Sequence, residues 1–211
     1  MVDLSYVGIT NVESIHHNLS TPALYEEAVR NREGHMVHLG PLVVRTGQYT
    51  GRSANDKFVV RDPETAKTIW WGKHNKAIDP GKFNRLLIRL QAYLQGRDVY
   101  VQDCYAGADP EYRLRVRVNT ETAWHNLFAR NMFIQADLED LSSFVPEFTV
   151  LQVPGFKAVP ELDGTASPTF ILVEDGVEFA RLEGYPGEDF FWGLIEMMLT
   201  DHGVLPIGTS G

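Results

Sequence analysis

The chain has 211 residues, 44% of them hydrophobic, a net charge of -9 and a single cysteine, enough length and apolar content for one large domain or two small ones; disordered, collagen-like and disulfide-scaffold proteins are excluded. The acidic balance argues against nucleic acid, whose phosphates require a basic face, and no run approaches the ~20 apolar residues of a membrane span. Cys104 has no intramolecular disulfide partner and Met1 precedes a mixed, acidic start instead of a basic and apolar leader, so the expectation is a cytoplasmic protein.

In chain order, Ser20-Thr21-Pro22 offers an N-cap and a first-turn proline, and Leu24 and Ala28 carry a helix toward Gly34. Met36–Arg45 and Lys57–Arg61 read as strands on either side of a glycine-rich segment, Thr46–Ser53. Asp79-Pro80 opens the clearest helix, which stops at Gly96; its Phe83, Leu86, Leu87, Leu90, Tyr93 and Leu94 share one stripe that packs on a sheet. Val99–Cys104 and Tyr112–Asn119 are the next strands, the second alternating Arg113, Arg115 and Arg117 with Leu114, Val116 and Val118. A short helix through Trp124–Ala129 precedes strands near Met132–Ile134, Phe148–Val153 and Thr169–Val173, and Glu188–Thr200 reads as a last helix. Interleaved helices and hairpins predict an α/β fold with a mixed sheet flanked by helices, not an alternating parallel barrel.

Charge is unevenly distributed. Residues 1–157 hold 18 Lys and Arg against 18 Asp and Glu, whereas residues 158–211 hold Arg181 against 10 acids, so all the excess negative charge lies in the last quarter.

The segment from Thr46 to Lys57 is the first candidate for chemistry. Gly47, Gly51 and Ser53 surround Arg52, a composition that lets backbone amides and one guanidinium converge on a carboxylate or phosphate. The alternative is an ordinary strand connection with a solvated arginine. Neither the phosphate-cradling G-x-x-x-x-G-K-[ST] spacing nor G-x-G-x-x-G occurs. His35 and His38, three apart in an expected strand, face opposite sides and make a poor metal pair, as do the adjacent His16 and His17. Cys104 reads as a buried, inert thiol, and the row Arg113, Arg115, Arg117 as the solvated face of a half-buried strand in preference to an anion site.

Several stretches together carry a resemblance. They are Asn18–Tyr25, Thr46–Ser53 with Asp56-Lys57-Phe58, Tyr100–Asp103 with Tyr105–Asp109, Ala123–Ile134, and Pro154–Thr165 with its Asp163-Gly164-Thr165. In this order the chain resembles the amino-terminal domain of ATP-dependent phosphoenolpyruvate carboxykinase. The resemblance implies that family's fold and the gluconeogenic reaction in which oxaloacetate and ATP give phosphoenolpyruvate and carbon dioxide. It assigns substrate binding to Arg52 and Tyr185, with Gly47, Thr50, Gly51 and Ser53 as the anion loop around Arg52. A fixed guanidinium suits that task, because it can orient a carboxylate for loss of carbon dioxide and stabilise the enolate charge.

The family also uses ATP with Mg2+ and Mn2+. Where it carries a lysine pair and a histidine near manganese, this sequence has Phe190, Phe191 and Gly208, following Tyr185-Pro186-Gly187-Glu188, and it has no lysine after Lys157. Phenylalanine and glycine side chains offer no ligand. The expectation is therefore one unit over residues 1–211, divergent from about residue 174, without the P-loop nucleotide domain and with no cofactor in this chain alone. Such a unit binds oxaloacetate or phosphoenolpyruvate, depends on a separate nucleotide-binding domain and is inactive by itself. The alternative is a non-catalytic carboxylate-binding or protein-interaction domain derived from the same family.

Overall fold

The computed structural model describes residues 2–44, 58–63, 65–72, 75–163, 168–174 and 177–181. After a 3-10 turn at Ser5–Val7 come strand β1 (Ser14–His17) and helix α1 (Thr21–Arg30), whose N-cap Ser20 accepts a hydrogen bond from the Ala23 N–H. The expected long strand at Met36–Arg45 is instead a hairpin of β2 (Gly34–Met36) and β3 (Leu42–Val44). The chain reverses at Leu39 and Gly40, both at positive φ (73° and 99°), and Pro41 follows; a glycine next to a proline is a turn signal that overrides an apolar run.

Strand β4 (Phe58–Val60), helix α2 (Thr65–Thr68) and strand β5 (Lys76–Ile78) follow, β4 and β5 pairing in parallel. Helix α3 (Pro80–Leu94) starts where the sequence marks it: Asp79 caps the Lys82 N–H at 3.0 Å, and Gly96 ends the turn at φ 67°. Strands β6 (Asp98–Ala106) and β7 (Leu114–Thr120) form an antiparallel pair, followed by helix α4 (Ala123–Ala129), strand β8 (Ile134–Gln135), strand β9 (Phe148–Lys157) and helix α5 (Pro160–Asp163). Strands β10 (Pro168–Glu174) and β11 (Val177–Arg181) form a last antiparallel pair. The expected helix Glu188–Thr200 lies outside the described residues.

Among the described residues seven strands build one mixed sheet in the order β1-β6-β7-β9-β10-β11. β8 pairs with β6 on the edge that β1 also occupies, β1 covering Asp98–Val101 in parallel and β8 covering Cys104–Tyr105 in antiparallel register. β7 and β9 run parallel, so the α/β mixed-sheet expectation holds.

Both faces of the central strands are covered. Val99, Val101, Leu151 and Val153 meet Phe83, Leu86, Leu90 and Leu94 of α3 together with Leu4, Val7 and Ile9. On the other face Cys104, Val116, Val118, Phe148 and Val150 meet Ala129 and Phe133, while Tyr100 packs with Leu24, Ala28, Ala123 and Trp124. Residues 99–106 are buried without interruption, which explains why β6 reads as a continuous run and not as an alternation. No helix among the described residues is long and apolar enough to cross a membrane.

Candidate functional site

Arg52, Gly47, Thr50, Gly51 and Ser53 fall in residues 45–57, and Tyr185, Phe190, Phe191 and Gly208 in residues 182–211; all lie outside the described residues. What the structure describes is the frame on which residues 45–57 are mounted. Upstream is β3, paired with β2 so closely that a Cβ on Gly34 would stand 2.5 Å from the Val43 carbonyl oxygen. Only glycine admits that approach. Downstream is β4, whose Val59 and Val60 are both buried, Val59 in the cluster under α4 and Val60 in the cluster under α3. The two ends of the candidate loop are thus fixed, one by a hairpin and the other by both cores. Fixed ends limit the conformations a binding loop must give up on engaging its ligand.

Beside this frame, the sheet carries a buried ionic network that the sequence did not announce. The β6/β7 register sets Asp103 opposite Arg117. Asp103 accepts from Arg117 Nε at 2.6 Å and Nη2 at 2.9 Å, and from His17 Nε2 at 2.8 Å, while its own N–H donates to Asn18 Oδ1. Burial would raise the pKa of the Asp103 carboxyl, but the bonds from His17 and Arg117 outweigh it and hold the group below the usual carboxylate range. The same pairing outweighs the effect of burial on Arg117 and keeps its guanidinium charged. An ionised carboxylate whose oxygens are already engaged is a poor proton acceptor, so the network positions β1, β6 and β7 and does not supply a base.

Arg117 therefore corrects the expectation of a solvated arginine row: it is 6% exposed. Each arginine of the row is answered by an acid, Arg117 by Asp103, Arg115 by Glu147 at 3.3 Å and Arg113 by Asp140 at 3.8 Å, with Arg113 lying over the Tyr105 ring. An arginine row already neutralised in this way does not make an anion site.

Helix α4 is held from a distance. Glu33 accepts from the N–H groups of Ala123 at 3.1 Å and Trp124 at 2.9 Å, filling the role of a cap. Burial nonetheless keeps the Glu33 carboxyl above its ordinary pKa. His125 on the same helix is fully buried, with Nδ1 bonded to Thr122 Oγ1 and Nε2 without a partner among the described residues; burial drives its pKa well below 6.5. Arg130, at the end of α4, donates to Gln102, Thr21 and the Leu19 carbonyl.

Cys104 is buried, its thiol donating to the Val116 carbonyl at 3.2 Å and pushed up by burial, as expected of an inert cysteine. His35 pairs with Val43 inside the hairpin and His38 sits in its turn. Among the described residues no group of three or more His, Cys, Asp or Glu could hold a metal ion. Most of the interior charges described above are matched by a partner, and Arg52 and Tyr185 lie outside the described residues.

The Glu33, Asp103 and Arg130 contacts escaped the sequence reading although all but Glu33 lie in stretches already singled out. Their partners are 90, 14 and 109 residues away along the chain; strand register brings Asp103 to Arg117, and the packing of α1 and the segment after it against α4 brings the other two together.

Comparison with known proteins supplies what the geometry alone does not. The family described as Phosphoenolpyruvate carboxykinase matches residues 13–208. Among similar proteins, the "Phosphoenolpyruvate carboxykinase (ATP)" of Pelobacter propionicus is 49% identical over 183 residues, covering 86% of this chain and 34% of the relative. That of Geobacter sp. (strain M21) is 45% identical over 207 residues, covering 96% of this chain and 39% of the relative. That of Thermus thermophilus is 44% identical over 218 residues, covering 100% of this chain and 41% of the relative. The chain thus spans 34% to 41% of the length of these relatives.

Proposed function

Since the chain belongs to the ATP-dependent phosphoenolpyruvate carboxykinase family, we propose that it is the substrate-side portion of such an enzyme, binding oxaloacetate or phosphoenolpyruvate through Arg52 and Tyr185. The observation that carries this reading is the extent of the family match, residues 13–208, which contains the Arg52 loop and Tyr185 in a single span. The anchoring of β3 and β4 on either side of residues 45–57 supports it, because a guanidinium on a mounted loop meets a carboxylate with less loss of freedom.

In this reading Arg52 donates two parallel hydrogen bonds to the substrate carboxylate. Gly47, Thr50, Gly51 and Ser53 shape the backbone around it, and Tyr185 closes the same site. ATP, with its magnesium, is bound outside these 211 residues, which contain no P-loop spacing. The manganese of the family does not fit the residues present. At the positions that the resemblance gives to its ligands this sequence has Phe190, Phe191 and Gly208, whose side chains offer no donor, and the described residues hold no alternative set. The chain by itself is expected to show no oxaloacetate-dependent turnover of ATP.

A second reading, a carboxylate-binding protein that has left catalysis, is favoured by one observation: the stretch after Lys157 contains no lysine at all. Both readings keep the Arg52 site. The deciding experiment is a chemical-shift titration of the chain with oxalate, for wild type and Arg52→Lys. A dissociation constant of about 1 mM, or about -4 kcal/mol, is expected for an open, one-sided site, and Arg52→Lys weakens it because an ammonium keeps the charge but not the fork. Absence of localised shifts between Gly47 and Lys57 at tens of millimolar oxalate would overturn the functional assignment of the loop. Turnover on adding a nucleotide-binding domain of the family separates the enzyme reading from the binding-protein reading.

A further inference from the structure

Arg130 differs from the other interior arginines. Arg117 and Arg89 are each matched by a buried carboxylate, Asp103 and Asp163. Arg130 is half-buried, and among the described residues it has no carboxylate partner: Nε donates to Gln102 Oε1 at 3.0 Å, Nη1 to Thr21 Oγ1 at 2.9 Å and Nη2 to the Leu19 carbonyl oxygen. All three acceptors are neutral. A guanidinium carries five N–H donors, so donors remain, and among the described residues no acid compensates its charge in a partly desolvated place. Burial with no answering acid holds its pKa below the ordinary arginine value.

This guanidinium borders an open cavity of about 480 Å³ between α1, the end of β3 and α4. Tyr25, Trp124 and Phe128 supply aromatic walls, Leu42 and Val44 an aliphatic one, and among the described residues no acid lines the space. An apolar cleft of this size with one convergent polar group has the composition of a small-molecule site. One uncompensated cation is matched by one negative charge, and its planar fork fits a carboxylate. A phosphate dianion would remain half neutralised.

We propose that this cleft binds a small aromatic monocarboxylate, its carboxylate on Arg130 and its ring against Tyr25, Trp124 and Phe128. The residues that line this cleft are all described ones, and the proposal does not rest on the reading given to Arg52.

The test is a chemical-shift titration of the full 211-residue chain with phenylacetate and with its neutral isostere phenylacetamide. Phenylacetate should shift the Trp124 indole and Arg130 Nε–H resonances and saturate in the millimolar range, while phenylacetamide should bind at least about tenfold more weakly, the loss expected for one charge-assisted contact. Arg130→Met should lower phenylacetate affinity to that of the amide, and Arg52→Lys should leave it unchanged. Equal binding of acid and amide by the wild type would overturn the proposal, with or without a folded Arg130→Met variant. So would the absence of shifts at tens of millimolar, or shifts that map to Gly47–Lys57 and vanish in Arg52→Lys.

Discussion

Replacing Asp103 with asparagine keeps the shape of the side chain and removes its charge, which isolates what the buried ionic network contributes. The carboxylate receives two bonds from Arg117, at 2.6 and 2.9 Å, and one from His17 at 2.8 Å. The Asp103 side chain is 0% exposed and that of Arg117 7%. In Asp103→Asn one oxygen still accepts, but the amide NH2 now faces an N–H donor, and Arg117 becomes a buried cation without a counter-charge. Removing one partner of a buried pair costs about 3–5 kcal/mol; the partly exposed His17 places this case toward the middle of that range. A domain of this size holds on the order of 5–15 kcal/mol, so the variant should remain folded with its urea midpoint lowered by about 2 M at a slope of about 2 kcal/mol per molar. Urea melts followed by tryptophan fluorescence measure it. The double variant Asp103→Asn with Arg117→Met should recover part of the loss, because the unpaired charge leaves with its side chain. A loss below about 1 kcal/mol, or no recovery in the double variant, would refute the reasoning. The acid limb follows in sign. The folded-state pKa of Asp103 is depressed, so its contribution is present above the unfolded carboxylate value of about 3.9 and disappears as the pH falls through the lower folded value. Asp103→Asn should lack that limb.

Two further outcomes are expected. His125 is buried neutral with a depressed pKa, so protonation is confined to the unfolded chain: stability present above pH about 6.5 should decline as the pH falls, by about 1.4 kcal/mol at pH 5.5, and His125→Gln should flatten that slope in urea melts between pH 7.5 and 5.5. Gly155→Ala would place a Cβ 2.3 Å from Tyr93 Oη and 2.6 Å from Glu121 Oε1, disturbing the Tyr93–Glu121 bond of 2.6 Å; a loss of about 1–2 kcal/mol should appear in thermal melts, and an unchanged midpoint would show that these side chains yield freely.

How much was legible in the sequence depended on the range of the interaction. Helix α3 was read from end to end because its cap, its proline and its apolar stripe all act within a few residues. The β2–β3 hairpin was read as one strand because an apolar run outweighed the turn at Leu39-Gly40-Pro41. Arg117 was placed on a solvated face by alternation alone, whereas its burial depends on the register that sets it opposite Asp103 and on β1 bringing His17 from 86 residues away. Glu33 at the start of α4 and Arg130 beside α1 were invisible for the same reason. Arg52 with its glycines rests on composition and Tyr185 on the family resemblance, and both lie outside the described residues.

The sharing of one edge of β6 by β1 and β8 has a bearing on self-association. An incoming strand could add there only by pairing with four residues of β1 and two of β8, and these run in opposite directions relative to β6. A single extended segment cannot match a parallel and an antiparallel ladder in one pass, because the hydrogen-bond spacings differ. The longest buried strand of this side is therefore closed by two short, mutually inconsistent neighbours, which denies other chains a continuous template for fibrillar growth.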